Sequence, residues 1–266
     1  MGCGGSDDGS SNTPPPPARP ADFPKAGGRT LAAIKKELGS EGPVLAPSVS
    51  QFEPGQNRFG FGLFDRDRTQ IADAPVALYF ARAGGGKARG PVVAGYESLA
   101  VKSQFQSRSV SSDPDAAMSL YVAPAEFEKA GRYEVLGVAR LDGRLVAAGS
   151  VSGPLTVTKG GPVPDIGEPA PLIDTPTKAD VGGDIEKIDT RQPPSSMHDV
   201  NFSAVRGRRP TILLFATPAL CQSRVCGPVV DIAEQVKARR GDDAAFIHQE
   251  IFRDNEVDRK DPRLRR

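Results

Sequence analysis

No stretch of this chain approaches the ~20 consecutive apolar residues that a membrane-spanning helix needs, so none is expected within its 266 residues. Net charge is almost absent too. The chain has 34 Lys and Arg against 33 Asp and Glu, which leaves no electrostatic footprint for nucleic acid or for an acidic partner. Tryptophan is missing, and histidine occurs only at His198 and His248. There are three cysteines; an odd number cannot all pair with one another, so one has another fate. Residues 45–158 contain neither cysteine nor histidine, so a domain there is held by core packing alone and offers no thiol or imidazole chemistry. Glycine and proline are plentiful, at 29 and 25 residues, which marks part of the length as linker.

Residues 1–28 are mostly Gly, Ser, Asp and Pro, 18 of the 28. Such a segment buries too little apolar surface to offset its ordering entropy, and a disordered tether is expected. Its opening, GCGGSDDGSS, resembles the mature start of bacterial lipoproteins. In that family a Gly-Cys pair ends the signal peptide and the cysteine takes the lipid. The resemblance makes Cys3 the lipidated residue and implies an extracytoplasmic, membrane-anchored protein, although no charged and apolar leader precedes it. MGCGGS also fits the myristoylation pattern at Gly2, and an unmodified disordered N-terminus is the third reading.

RTLAAIKKELG (29–39) spaces Leu31, Ile34 and Leu38 at helical intervals and ends on a glycine cap. A short helix and linker over 29–44 follow. Over 45–158 the pattern changes to alternation. Phe59, Phe61 and Leu63 share one face, as do Val76, Leu78 and Phe80, and a third apolar run covers 118–127. Residues 132–158 hold two or three more strands, with Asp142-Gly143 at a hairpin turn. GGGK (84–87) reads as a hairpin tip, because it lacks the spacing of a phosphate-binding loop. The polar stretch 104–117 reads as a long loop. FEKAGRYEV resembles the corner of immunoglobulin-like domains where a Gly-x-Tyr enters a strand and the tyrosine hydroxyl bonds back to the upstream backbone. Tyr133 is that tyrosine, and the resemblance implies an antiparallel β-sandwich.

Residues 159–195 are rich in Pro, Gly, Asp and Thr and read as linker. Within them, IGEPAPLIDTPT resembles the entry segment of redoxins through Gly167, Ala170, Pro171 and Ile173. The last portion, 196–266, carries an apolar run TILLFA (211–216), a loop with Cys221 and Cys226, an amphipathic helix over 229–240 and a strand over 244–252. That order is a βαβ unit. It resembles the thioredoxin fold, whose redox cysteine sits between a central strand and the next helix. Cys226-Gly227-Pro228 matches the first three residues of the thioredoxin Cys-Gly-Pro-Cys motif. Val229 stands at the fourth, so Cys221 is the candidate resolving thiol. The cis-proline loop and later strands of that family find no counterpart after residue 252, and a truncated domain is expected.

The expected architecture is therefore α+β and multidomain: an antiparallel β-sandwich followed by an incomplete α/β thioredoxin-like domain. The resemblance implies thiol–disulfide exchange with exported proteins, with little reductase activity expected of the truncated domain. Cys226 and Cys221 are the reacting thiols, Arg224 stabilises a thiolate, and Gly227 and Pro228 shape the turn. A helix N-terminus lowers a thiol pKa, which favours Cys226 as nucleophile if Pro228 lies in the first turn. If the helix began at Cys221 instead, the two Cα atoms would lie ~8.5 Å apart, beyond disulfide reach. A non-enzymatic envelope scaffold and a copper-delivery protein using the same cysteines are the rival readings. No cofactor, metal site or nucleic-acid partner is expected. His248 reads as a packed histidine satisfied by a neighbour, on one strand face with Phe246 and Glu250.

Overall fold

The structure is a computed structural model that describes residues 14–39, 42–114, 116–150, 152–161, 163–220 and 225–252. The chain forms two compact units. One comprises Met1–Ser98 with Ser119–Val163, the other Leu99–Met118 with Pro164–Arg266.

The first unit is a sheet of nine strands: β1 (Val44–Pro47), β2 (Gly55–Phe64), β3 (Val76–Arg82), β4 (Arg89–Val93), β5 (Gly95–Ser98), β6 (Ser119–Phe127), β7 (Gly131–Leu141), β8 (Arg144–Ser150) and β9 (Leu155–Val157). Eight of them follow one path, β4-β3-β7-β8-β1-β2-β6-β5, and β9 pairs with β7 beyond the end of β8. The terminal strands of that path, β4 and β5, are separated in sequence only by Ala94. The Ala94 amide still donates to the Val76 carbonyl of β3 at 2.9 Å, and Gly95 already pairs with Val122 of β6. The sheet thus curls into a nearly closed barrel.

This overturns the expected sandwich. A sandwich needs two separate sheets, each with two edges. Here β1 pairs with β2 on one side and, in parallel, with β8 on the other (Val44↔Gly149, Leu45↔Ser150), which joins what would be the two halves. Period-2 alternation assigns faces but is the same for a sandwich and a barrel. The long-range β1–β8 pairing, invisible to it, decides between them. The protein is mostly β, with 33% strand against 19% helix, so the α+β class expected from the sequence is corrected as well.

The inward face of seven strands meets in one aromatic-rich cluster. Phe59 lies at its centre, fully buried. Its ring stacks on Phe52 at 5.4 Å and meets Phe80 edge-on at 5.5 Å. Tyr121 brings a hydroxyl into this core and satisfies it on Ala74, donating to the carbonyl at 2.9 Å and accepting from the amide at 3.2 Å. On the outer face of β3, β7 and β8, a second cluster buries Ala77, Tyr79, Leu136 and Val138 under Phe23, Leu31 and Ile34. Leu31 and Ile34 belong to α1 (Leu31–Leu38), capped by Thr30 Oγ1, which accepts from the Ala33 amide, and ended by Gly39 at φ +83°. Phe23 follows a 3-10 turn at Pro20–Asp22, and Tyr79 donates to the Pro24 carbonyl at 2.6 Å. The stretch 20–28 is therefore laid down on the sheet. The Asp142-Gly143 hairpin forms as read, with both residues at positive φ and Leu141 paired with Arg144.

The second unit holds α2 (Arg108–Ser111), α3 (Phe202–Val205), β10 (Thr211–Phe215), α4 (Cys226–Arg240) and β11 (Ala245–Gln249), with 3-10 turns at Ser103–Phe105, Ile185–Lys187 and Pro218–Leu220. The stretch 104–117 is thus not a plain loop. β10 and β11 are parallel, from Thr211↔Ala245 to Phe215↔Gln249, with α4 between them. The βαβ unit read from the sequence is present. β11 is buried along its whole length, but Ile212 and Phe215 of β10 are about half exposed. Among the described residues this sheet has two strands only, which does not make a thioredoxin fold. The redoxin-like entry residues Gly167, Ala170 and Pro171 are exposed and pair in no strand.

Candidate functional site at the β10–α4 turn

α4 begins at Cys226, and Pro228 is its third residue. The placement follows from chemistry: proline lacks the N–H that an interior helical residue must donate and is tolerated in the first turn. The first intrahelical bond that can be made past it is present, from the Val229 amide to the Val225 carbonyl at 2.9 Å. Val225 offers no side-chain cap, so the positive end of the helix dipole is left to whatever lies at Cys226. The last turn carries Lys237, Arg239 and Arg240 at the opposite pole. Cys226 packs against Met197, Ala216, Val230 and Phe246.

Two buried side chains hold α4 in place from its inner face. Asp231 accepts from the Ser107 amide at 2.9 Å and hydroxyl at 3.1 Å, and its other oxygen accepts from Arg191 Nε at 2.8 Å. The Arg191 guanidinium also donates through Nη1 and Nη2 to the carbonyls of Pro193 and Phe105, at 2.6 and 2.7 Å. Further along the helix, Glu234 accepts from the Ser196 amide at 2.7 Å. Gly227 faces Val110 of α2 so closely that a Cβ there would lie 2.7 Å from a Val110 methyl.

Beside this lies a cluster built on Asp189. Its Oδ2 is met by the Ser195 amide at 2.6 Å, His198 Nε2 at 2.9 Å and His248 Nδ1 at 3.3 Å, and its Oδ1 accepts from the Arg191 amide at 2.7 Å. His248 Nε2 donates to the Ala216 carbonyl at 3.0 Å, and Ser195 Oγ lies 3.1 Å from His248 Nδ1. Burial alone would push the Asp189 carboxyl up. The hydrogen bonds from His198 and His248 and the His248 charge outweigh it and hold the group far below the usual carboxylate range. Burial alone would push His248 down, but its hydrogen bond to Asp189 and the carboxylate charge outweigh that and raise it. Asp189, His198 and His248 present ligand atoms within 4.8 Å of one another, and among the described residues they are the group that could hold a metal ion. Nearby, Glu250 Oε1 accepts from the Thr190 amide and hydroxyl at 2.7 and 2.8 Å, which ties β11 to the same loop.

Of the residues singled out in the sequence, Cys226, Gly227 and Pro228 form the first turn of α4. Cys221, Arg224 and Cys3 lie outside the described residues. α4 begins at Cys226, so Pro228 lies in its first turn. His248 is a packed, hydrogen-bonded histidine, as read. Asp189, Arg191 and Ser195 are buried, at 2%, 5% and 1% exposure, although the composition of 159–195 marks them as linker. Asp231 was concealed in an ordinary amphipathic helix. The available signal was the spacing of Asp189 and Arg191 just ahead of His198, one of only two histidines. No protein-family model matches the chain, and no curated protein is detectably similar to it.

Proposed function

We propose that this protein exchanges thiols and disulfides through Cys226, with Cys221 as its partner. One observation carries the reading: Cys226 is the first residue of a 15-residue helix with no side-chain cap, at the turn of a βαβ unit. A thiolate there is favoured by the helix dipole and by the unpaired N–H groups of the first turn. In the reducing direction, the Cys226 thiolate attacks one sulfur of a substrate disulfide, and the other sulfur leaves as thiolate. Cys221 then attacks the Cys226 sulfur, releasing the second substrate thiol and leaving the chain oxidised. The substrates are exported proteins, and Cys3 carries a lipid anchor that holds the chain at the membrane surface.

The test is trapping. The reduced Cys221→Ser variant is expected to accumulate a mixed disulfide with a disulfide-bonded peptide, and Cys226→Ser to accumulate none. Equal alkylation rates for both thiols, at the rate of an unactivated cysteine, would sink the reading.

A further inference from the structure

We propose that Asp189, His198 and His248 form a zinc site that fastens the 189–198 loop to β11. The reading is independent of the cysteine chemistry.

The first argument is geometry. A tetrahedral zinc ion with bonds of ~2.0–2.1 Å to nitrogen and oxygen holds its ligand atoms ~3.3 Å apart. His198 Nε2 and His248 Nδ1 stand 2.9 and 3.3 Å from Asp189 Oδ2. Both separations are within a few tenths of an ångström of that spacing, and all three ligand atoms lie within 4.8 Å of one another. Ser195 Oγ, 3.1 Å from His248 Nδ1, is a further oxygen close to these atoms.

The second argument is charge. The carboxylates of Asp189, Asp231 and Glu250 are buried, at 2%, 0% and 0% exposure, and among the described residues the buried Arg191 guanidinium pairs with Asp231 alone of the three. Three against one leaves an excess of two negative charges, which buried surroundings tolerate badly. Two imidazole nitrogens both approach one carboxylate oxygen. Either each carries a proton there, or one divalent cation takes the place of both. Glu250 Oε2 and His198 Nδ1 find no hydrogen-bond partner among the described residues, so the network is incomplete as it stands.

The third argument is the outer shell. Histidine ligands are oriented through their second nitrogen, and ligating carboxylates through their second oxygen. His248 Nε2 donates to the Ala216 carbonyl, and Asp189 Oδ1 accepts from the Arg191 amide. Two nitrogens and one oxygen suit zinc better than calcium or magnesium, and full burial makes the site structural.

The experiment is a Zn2+ titration of the full chain, beside a variant with Cys3, Cys221 and Cys226 all replaced by serine. Both are expected to bind one equivalent. Asp189→Asn and His248→Gln are expected to weaken binding by more than the ~10- to 100-fold that loss of an outer-shell partner costs. Because the chain has two histidines only, imidazole 15N NMR of the unmutated chain supplies a readout that needs no variant: both rings must shift on adding Zn2+. No saturable binding, binding lost with the cysteines, or imidazole signals that stay put while zinc binds would each overturn the proposal.

Discussion

Arg191 Nε donates to Asp231 Oδ1 at 2.8 Å, with the two side chains 5% and 1% exposed. The pair joins a loop that looks like linker in composition to the helix that carries Cys226. Removing one member of a buried ion pair strands the other charge, at a cost of about 3–5 kcal/mol. Asp231→Ala should cost at least this, since Ser107 also loses its acceptor. Urea denaturation followed by circular dichroism measures it. An Arg191→Met, Asp231→Leu double variant should lose less than Asp231→Ala alone.

The barrel core gives a second expectation. Phe59 is fully buried and touches three other phenylalanine rings. Phe59→Ala leaves a cavity and should cost about 3–5 kcal/mol. Phe59→Leu, which keeps most of the volume, should cost clearly less. A thermal melt of each variant decides.

Gly90 of β4 takes φ +131°, and a Cβ there would lie 2.6 Å from the Leu78 carbonyl oxygen. Backbone cannot give way as a side chain can. Gly90→Ala should therefore destabilise by about 1–3 kcal/mol and loosen the β3–β4 edge of the barrel. Faster amide exchange at Leu78 and Val92, which pair across that edge, is the local check.

The Asp189–His248 pair makes stability depend on pH in protein stripped of divalent metal. Asp189 is held below its ordinary value. Its contribution is present above the unfolded value of about 3.9 and is lost as pH falls through the depressed folded value. His248 is raised. Its contribution is full below the unfolded value of about 6.5 and is lost as pH rises through the folded value. Denaturation midpoints should therefore be flat between about pH 4 and about pH 6.5 as far as this pair is concerned, and decline above that. The alkaline decline should vanish in His248→Gln; if it persists unchanged, another group causes it.

Local features were legible because their physics is local. Tyr133 donates to the Lys129 carbonyl at 2.8 Å, the bond that Gly-x-Tyr implies, yet the domain around it is a barrel and not a sandwich. A corner is built by neighbours four residues apart and carries no information about which sheets close on which. The same holds at Asp142-Gly143 and at α1, whose caps lie within a turn of their partners.

What the sequence by itself determined is the inward face of several strands, Phe59, Phe61 and Leu63 on one side of β2 and Val76, Leu78 and Phe80 on one side of β3, together with a helix over 229–240 whose start at Cys226 the structure supplied. Hydrophobic period and turn chemistry are properties of a few consecutive residues, so they can be read in order along the chain. Only the tertiary structure decided the closing of the barrel, through β1 meeting β8 in parallel across a hundred residues of sequence. It alone also brought Asp189, Arg191, His198, Asp231 and His248 into one buried network. Burying such groups is tolerable only when their partners arrive from other segments, and no local pattern reports that arrival.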